Sequence, residues 1–239
     1  MRTLQVALNG DSAHPAMPRT PDEIAADAAA CVAAGATMLH VHAFDDDGAE
    51  SLAEGPVTRA LRAVRARCPG IPISITTFAE IQPDPKLRYQ TVSSWTDLPD
   101  LIPANQGEEG IDELSELLAR RGVGIEACLL SVADAEKFAA RGNASAFARV
   151  AVEALVEDPD EALAQAAAME SIVVAAGITL EQVHHGIGMS TWAVCRRAAD
   201  RGHGIRAGIE DTSHLPDGRP APDNTALVTA AARLLDCSL

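Results

Sequence analysis

The sequence predicts a TIM (β/α)8 barrel. Short apolar, β-branched runs alternate with longer alanine-rich helical stretches. Eight such pairs can be counted, and together they fill 239 residues, a length that α/β barrels occupy as one domain. An open doubly wound sheet is the competing architecture, and the absence of a GxGxxG after the first strand weakens it. We therefore expect residues 1–239 to form one catalytic domain.

The first strand is read at Leu4–Leu8. Its helix starts with Thr20 as cap, Pro21 in the first helical position and Glu23 three residues on, and stops at Gly35. Met38–His42 and Pro56–Arg67 make the second pair, Pro72–Thr76 and Pro85–Ser93 the third. Leu98–Ala104 and Ile111–Arg121 follow, with Gly122 closing the helix. Val123–Leu129 and Ala133–Arg141 are the fifth pair, Arg149–Val156 and Pro159–Ala176 the sixth. Val183–Ile187 and Thr191–Arg201 are the seventh, Ile205–Ile209 and Asn224–Leu235 the eighth.

Composition narrows the function. Apolar residues make up 47% and aromatics only 3%, so the core is expected to be Ala, Val, Leu and Ile. A net charge of −15 argues against nucleic acid as a partner, because phosphate neutralisation needs a basic face. No apolar run approaches the ~20 residues that span a bilayer. The start of the chain lacks a charged-then-apolar leader. Cys31, Cys68, Cys128, Cys195 and Cys237 show no CxxC spacing and read as reduced structural thiols. A soluble, cytoplasmic protein is expected.

Chemistry concentrates at the predicted strand ends, where barrel enzymes build their sites. His40 and His42 are two apart, so both rings point to one face of the second strand. Packed core imidazoles are the alternative use of such a pair. Glu210 and Asp211 follow the eighth strand, which as an even-numbered strand shares its inward layer with the second. Two imidazoles and a carboxylate with an open position form the pattern of catalytic zinc. Solvated loop carboxylates are the alternative there.

Arg206 is placed to meet a substrate carboxylate or to orient Asp211. Glu126 and Asn105 also fall near strand ends, as site residues or as buried polar groups with backbone partners. Gly186 and Gly188 leave backbone room before a helix N-terminus that would attract an anion, or simply make a tight turn. The run Asp45-Asp46-Asp47-Gly48 lacks the remaining ligands of a calcium loop and reads as a solvated turn.

Several segments together resemble the β-keto acid cleavage enzyme family. They include Leu8-Asn9-Gly10, Thr20-Pro21-Asp22-Glu23-Ile24, Leu39-His40-Val41-His42, Ser74-Ile75-Thr76-Thr77 and Gly124-Ile125-Glu126. The most specific is Ile205-Arg206-Ala207-Gly208-Ile209-Glu210-Asp211, continuing to Ala221-Pro222-Asp223-Asn224. The resemblance runs in order along nearly the whole chain. It implies a zinc barrel that condenses a β-keto acid with acetyl-CoA as co-substrate, then cleaves the adduct to acetoacetate and a new acyl-CoA.

By the same resemblance His40, His42 and Glu210 are the Zn2+ ligands, Asp211 the base and Arg206 its partner. Thr76, or Thr77 beside it, carries a hydroxyl near the substrate, and Glu126 is a further active-site carboxylate. A homotetramer is also implied. Two features depart from the pattern. Phe44 stands where an arginine is expected, which predicts a more apolar pocket on that side. The first loop, 10–19, is short and offers only Asp11 to meet a substrate amine. Both touch substrate recognition and leave the acid's side chain open. Other metal-dependent barrel lyases or hydrolases, and a non-catalytic binding barrel, are the competing functions.

Overall fold

The computed structural model describes residues 2–237, which form a closed barrel of eight parallel strands in sequence order. The pairs are β1 (Leu4–Ala7) with α1 (Pro21–Ala33), β2 (Met38–Val41) with α2 (Glu54–Arg67), and β3 (Ile73–Ile75) with α3 (Pro85–Ser93). Next come β4 (Leu101–Asn105) with α4 (Ile111–Arg120), β5 (Gly124–Leu129) with α5 (Val132–Ala139), and β6 (Arg149–Ala154) with α6 (Pro159–Ala175). The last are β7 (Gln182–Gly186) with α7 (Thr191–Asp200) and β8 (Gly204–Arg206) with α8 (Asn224–Cys237). No described helix is long and apolar enough to cross a membrane.

Local chemistry sets the helix starts. Thr20 accepts from the Glu23 amide while the Glu23 side chain returns to the Thr20 amide, so two otherwise unpaired N–H groups are satisfied reciprocally. Asp84 and Asp158 cap α3 and α6 with one-way bonds, Asp84 accepting from the Lys86 and Leu87 amides and Asp158 from the Glu161 amide, and each is followed by a proline whose fixed φ suits the first turn. α2 turns an apolar stripe inward, Val57, Ala60, Leu61 and Val64.

Most strand ends fall within one or two residues of the reading of the sequence, and two differ by three. β4 begins at Leu101 rather than Leu98. β8 ends at Arg206 instead of Ile209, because the chain turns at Gly208, whose carbonyl accepts from both Asp211 and Thr212 at 2.9 Å. The turn passes so close to β1 that a Cβ on Gly208 would lie 2.0 Å from the Ala7 carbonyl oxygen.

The apolar core lies mainly between strands and helices, while the inside of the barrel is polar. At its floor Arg149 Nε donates to Glu126 Oε1 at 2.5 Å and its Nη2 donates to Gln5 Oε1 at 2.8 Å, all three side chains being buried. Such a dry ion pair holds only because each partner is hydrogen-bonded. Cys31, Cys68, Cys128 and Cys195 are buried free thiols, and the side chain of Cys237 lies outside the described residues.

Candidate metal and active site

Above this floor the barrel opens into a cavity of about 430 Å³ at the C-terminal ends of the strands. His42, just past β2, and Glu210, from the turn after β8, line it, and the buried His40 of β2 lies against both. His40 Nε2 and His42 Nε2 lie 3.2 Å apart, and Glu210 Oε2 is 3.6 and 3.7 Å from them. These three side chains could hold a metal ion, with all ligand atoms within 4.8 Å of one another. Glu210 Oε1 accepts from Arg206 Nη2 at 2.5 Å, whereas Oε2 is buried with no hydrogen-bond partner. A carboxylate oxygen orphaned in this way and facing two imidazole nitrogens is what a divalent cation would satisfy. Burial first, then the positive charge of Arg206, holds the His40 ring well below its ordinary pKa. The ring is therefore neutral, with a lone pair to offer.

Two buried asparagines lock this geometry from below. Asn9, just past β1, accepts from the His42 amide at 2.8 Å and donates to the His42 carbonyl at 3.0 Å. Asn224, at the start of α8, accepts from the Ile209 amide at 2.8 Å and donates to Leu8 O and Asp27 Oδ2, both at 2.7 Å. One clamp fixes the backbone of His42, the other the residue next to Glu210.

Beside the three side chains sits a charged array. Arg206 donates to Asp211 Oδ1 from Nη2 at 2.9 Å and from Nε at 3.2 Å, and to Oδ2 at 3.3 Å. His185 Nδ1 lies 3.3 Å from Asp211 Oδ1 and its Nε2 lies 3.2 Å from Glu153 Oε2 on β6. Burial would raise the Asp211 carboxyl, but Arg206 and His185 outweigh it and hold the group below its ordinary value. For His185 burial and Arg206 act downwards, yet Asp211 and Glu153 lift the ring to about 9. It is an imidazolium at neutral pH.

The other residues expected from the sequence are distributed unevenly. Thr76, Thr77, Asn105 and the exposed Asp11 line the cavity. Asn105 Nδ2 donates to Glu108 Oε1 at 2.7 Å. Glu126 is paired with Arg149 on the barrel floor and is not among the lining residues. Gly186 passes under Ser190, where a Cβ would meet Oγ at 2.7 Å. Gly188, at φ +56°, donates its N–H to the Asp211 carbonyl at 2.7 Å. That donor ties the β7 loop to the β8 turn instead of facing an anion. Phe44 also lies away from the cavity lining, buried with the Arg19 guanidinium 5.8 Å above its ring. Sequence reasoning left Glu50, Glu153 and Glu108 unassigned and did not separate inward His185 from outward His184.

A second grouping of potential ligands, Glu170, His184 and His203, lies outside the barrel. Its carboxylate already accepts from Arg201 at 2.6 Å and pairs with Arg197 at 2.6 Å, so a cation there would meet two positive charges. It reads as a structural ion-pair network.

Fold and site together define a (β/α)8 barrel whose mouth carries two imidazoles and a carboxylate able to hold a metal ion, with an arginine-bound aspartate alongside. The chain belongs to the β-keto acid cleavage enzyme family, whose model matches residues 3–237. It is 25% identical over 240 residues to the 3-keto-5-aminohexanoate cleavage enzyme of Fusobacterium nucleatum subsp. nucleatum, a match covering 92% of this chain and 85% of that relative. Among solved structures it resembles apo ObcA, with a TM-score of 0.73, 16% identity and 92% of this chain covered. It also resembles ObcA in a ternary complex with a C4-CoA adduct and oxalate, with a TM-score of 0.74, 17% identity and 93% covered. The chain spans 61% and 64% of those two ObcA chains, and the likeness is one of fold.

Proposed function

We propose that this β-keto acid cleavage enzyme condenses a β-keto acid with acetyl-CoA and cleaves the adduct to acetoacetate and a new acyl-CoA. His40, His42 and Glu210 would hold a zinc ion in this reading. The observation that carries it is the orphaned Glu210 Oε2 facing two imidazole Nε2 atoms. The ternary complex of ObcA with a C4-CoA adduct supports a CoA co-substrate, and its complex with oxaloacetate, itself a β-keto acid, supports the substrate class.

A cation held by His40, His42 and Glu210 would supply Lewis acidity, which would acidify the carbon between the keto and carboxylate groups of the acid. The protein's own groups do the rest. Asp211 takes the proton at Oδ2, the less encumbered oxygen, because Oδ1 is held by two Arg206 contacts and His185. Arg206 bridges base and ligand, donating to both Asp211 and Glu210, and so fixes their separation. Thr76 and Asn105 on the far wall offer hydroxyl and amide groups to the acid. We place the protein in the cytoplasm as a single catalytic domain and propose a homotetramer, whose mass size-exclusion chromatography with light scattering would check.

The direct test incubates metal-loaded protein with acetyl-CoA and a panel of cationic, neutral and anionic β-keto acids, with and without chelator. Acetoacetate and a mass-shifted acyl-CoA should appear for at least one acid and vanish with chelator. No product from any acid, with stoichiometric zinc bound, would overturn the reading.

A further inference from the structure

The acidic turn Asp45-Asp46-Asp47-Gly48 has no part in the reaction above, yet the structure gives it a role. Beyond β2 the chain runs out along 43–45, turns, and returns along 49–51. Asp45 N donates to Ala49 O at 2.9 Å, Ser51 N to Ala43 O at 2.8 Å, and Phe44 bridges to Glu50 in antiparallel sense. The turn closes on its own first residue. Asp45 Oδ1 accepts from the Asp47 and Ala49 amides, both at 3.0 Å, and Gly48 adopts φ +80° with its N–H on Asp45 O at 3.1 Å. The residues opposite each other in this small hairpin then diverge. Phe44 is buried in the core, while the Glu50 carboxylate faces the barrel mouth, where its Oε1 meets His42 Nδ1.

That contact decides which nitrogen of His42 is free. A neutral imidazole carries one N–H, and the nitrogen that bears it cannot ligate a metal. An acceptor at Nδ1 keeps the proton there and leaves the Nε2 lone pair facing His40 Nε2 and Glu210 Oε2. His40 has the same arrangement with a neutral partner, its Nδ1 lying 3.2 Å from Ser74 Oγ.

We infer that Glu50 is a positioning residue, delivered by the Asp45–Gly48 turn, which fixes the tautomer of His42 and tightens metal binding. This rests on His40, His42 and Glu210 being the metal ligands. The test measures zinc affinity by competition with a chromophoric chelator, and the His42 tautomer in metal-free protein from 15N imidazole shifts. Glu50→Ala should weaken zinc binding by about 10–100-fold, the usual effect of removing such a carboxylate, and let His42 populate the Nε2–H form. Glu50→Gln keeps an acceptor without the charge, so it should hold the tautomer and lose roughly tenfold in affinity at most. It carries the comparison should Glu50→Ala not fold. A purely structural role would lower the melting temperature and leave the tautomer unmoved. Zinc affinity within twofold of wild type in both variants, with the tautomer unchanged, would overturn the inference while leaving the proposed function standing. Failure of the wild type to bind zinc would overturn both.

Discussion

Replacing Asp27 with asparagine should stabilise the protein at neutral pH and leave its stability near pH 4 almost unchanged. Asp27 projects from α1 towards the start of α8, where its Oδ2 accepts from Asn224. Burial, reinforced by the charge of Asp223, raises its carboxyl from the ordinary 3.8 to about 6, and the Asn224 bond only partly offsets this. At low pH the group is protonated in both folded and unfolded chains. Between 3.8 and about 6 the folded chain still holds a proton that the unfolded chain has released, so stability falls as pH rises. Above about 6 the penalty is complete.

Each pH unit of difference is worth about 1.4 kcal/mol, giving about 3 kcal/mol as an upper bound. Water at this partly exposed carboxylate reduces that to on the order of 1–2 kcal/mol. Asparagine keeps an oxygen for Asn224 and has nothing to ionise. Urea unfolding of both proteins from pH 4 to 8 isolates the effect, since other titrating groups cancel in the difference. The gap should open by on the order of 1–2 kcal/mol between pH 4 and 7, with the variant the more stable. A flat difference would refute the linkage.

Two further outcomes concern the site itself. Asp211→Asn should retain metal yet lose about 10²–10⁴-fold in turnover, the usual contribution of a general base, whereas Glu210→Gln should weaken metal binding first. Zinc content and turnover measured on both variants would show the roles reversed if Asp211→Asn loses the metal and Glu210→Gln keeps it. Gly208→Ala forces a methyl group to within 2.0 Å of the Ala7 carbonyl oxygen, against backbone that cannot yield cheaply. It should destabilise the barrel by more than about 4 kcal/mol or displace the turn carrying Glu210, to be read by denaturation and zinc uptake.

The fold was legible where one local rule had no competitor. Thr20 with Pro21 and Glu23 announced α1 because caps act through near neighbours. The end of β8 was misread because Ile209 looks like strand, while the bend at Gly208 comes from the approach of Ala7, a partner 201 positions away. The histidine pair was visible because side chains two apart share a strand face. Glu126 drew attention as a strand residue near a strand end, and only the structure shows that Arg149 on the next strand accounts for it. Glu153 carried the same signal in the buried strand RVAVEA and went unassigned. Nothing local marks Glu50, since its meeting with His42 depends on how a hairpin folds back. Of the adjacent histidines, alternation alone sends one ring in and one out, but only packing tells which: His185 meets Asp211 and Glu153, while His184 stacks on His203.

The barrel closes where its last strand returns to its first, and this seam is thinly stitched. β8 contributes three residues, and only Leu4 with Ile205 and Gln5 with Arg206 stand in register across the join. His42 and Glu210 lie on either side of β1, so a cation shared between them would cross-link the second strand to the turn after the eighth. The segment enclosed is most of the chain, so the ligands meet only in the folded barrel and binding there favours the folded state. Metal uptake would then act as a fastener for the cylinder as well as an aid to chemistry. Amide exchange in β1 and β8 should slow on adding zinc, well before strands on the opposite wall respond.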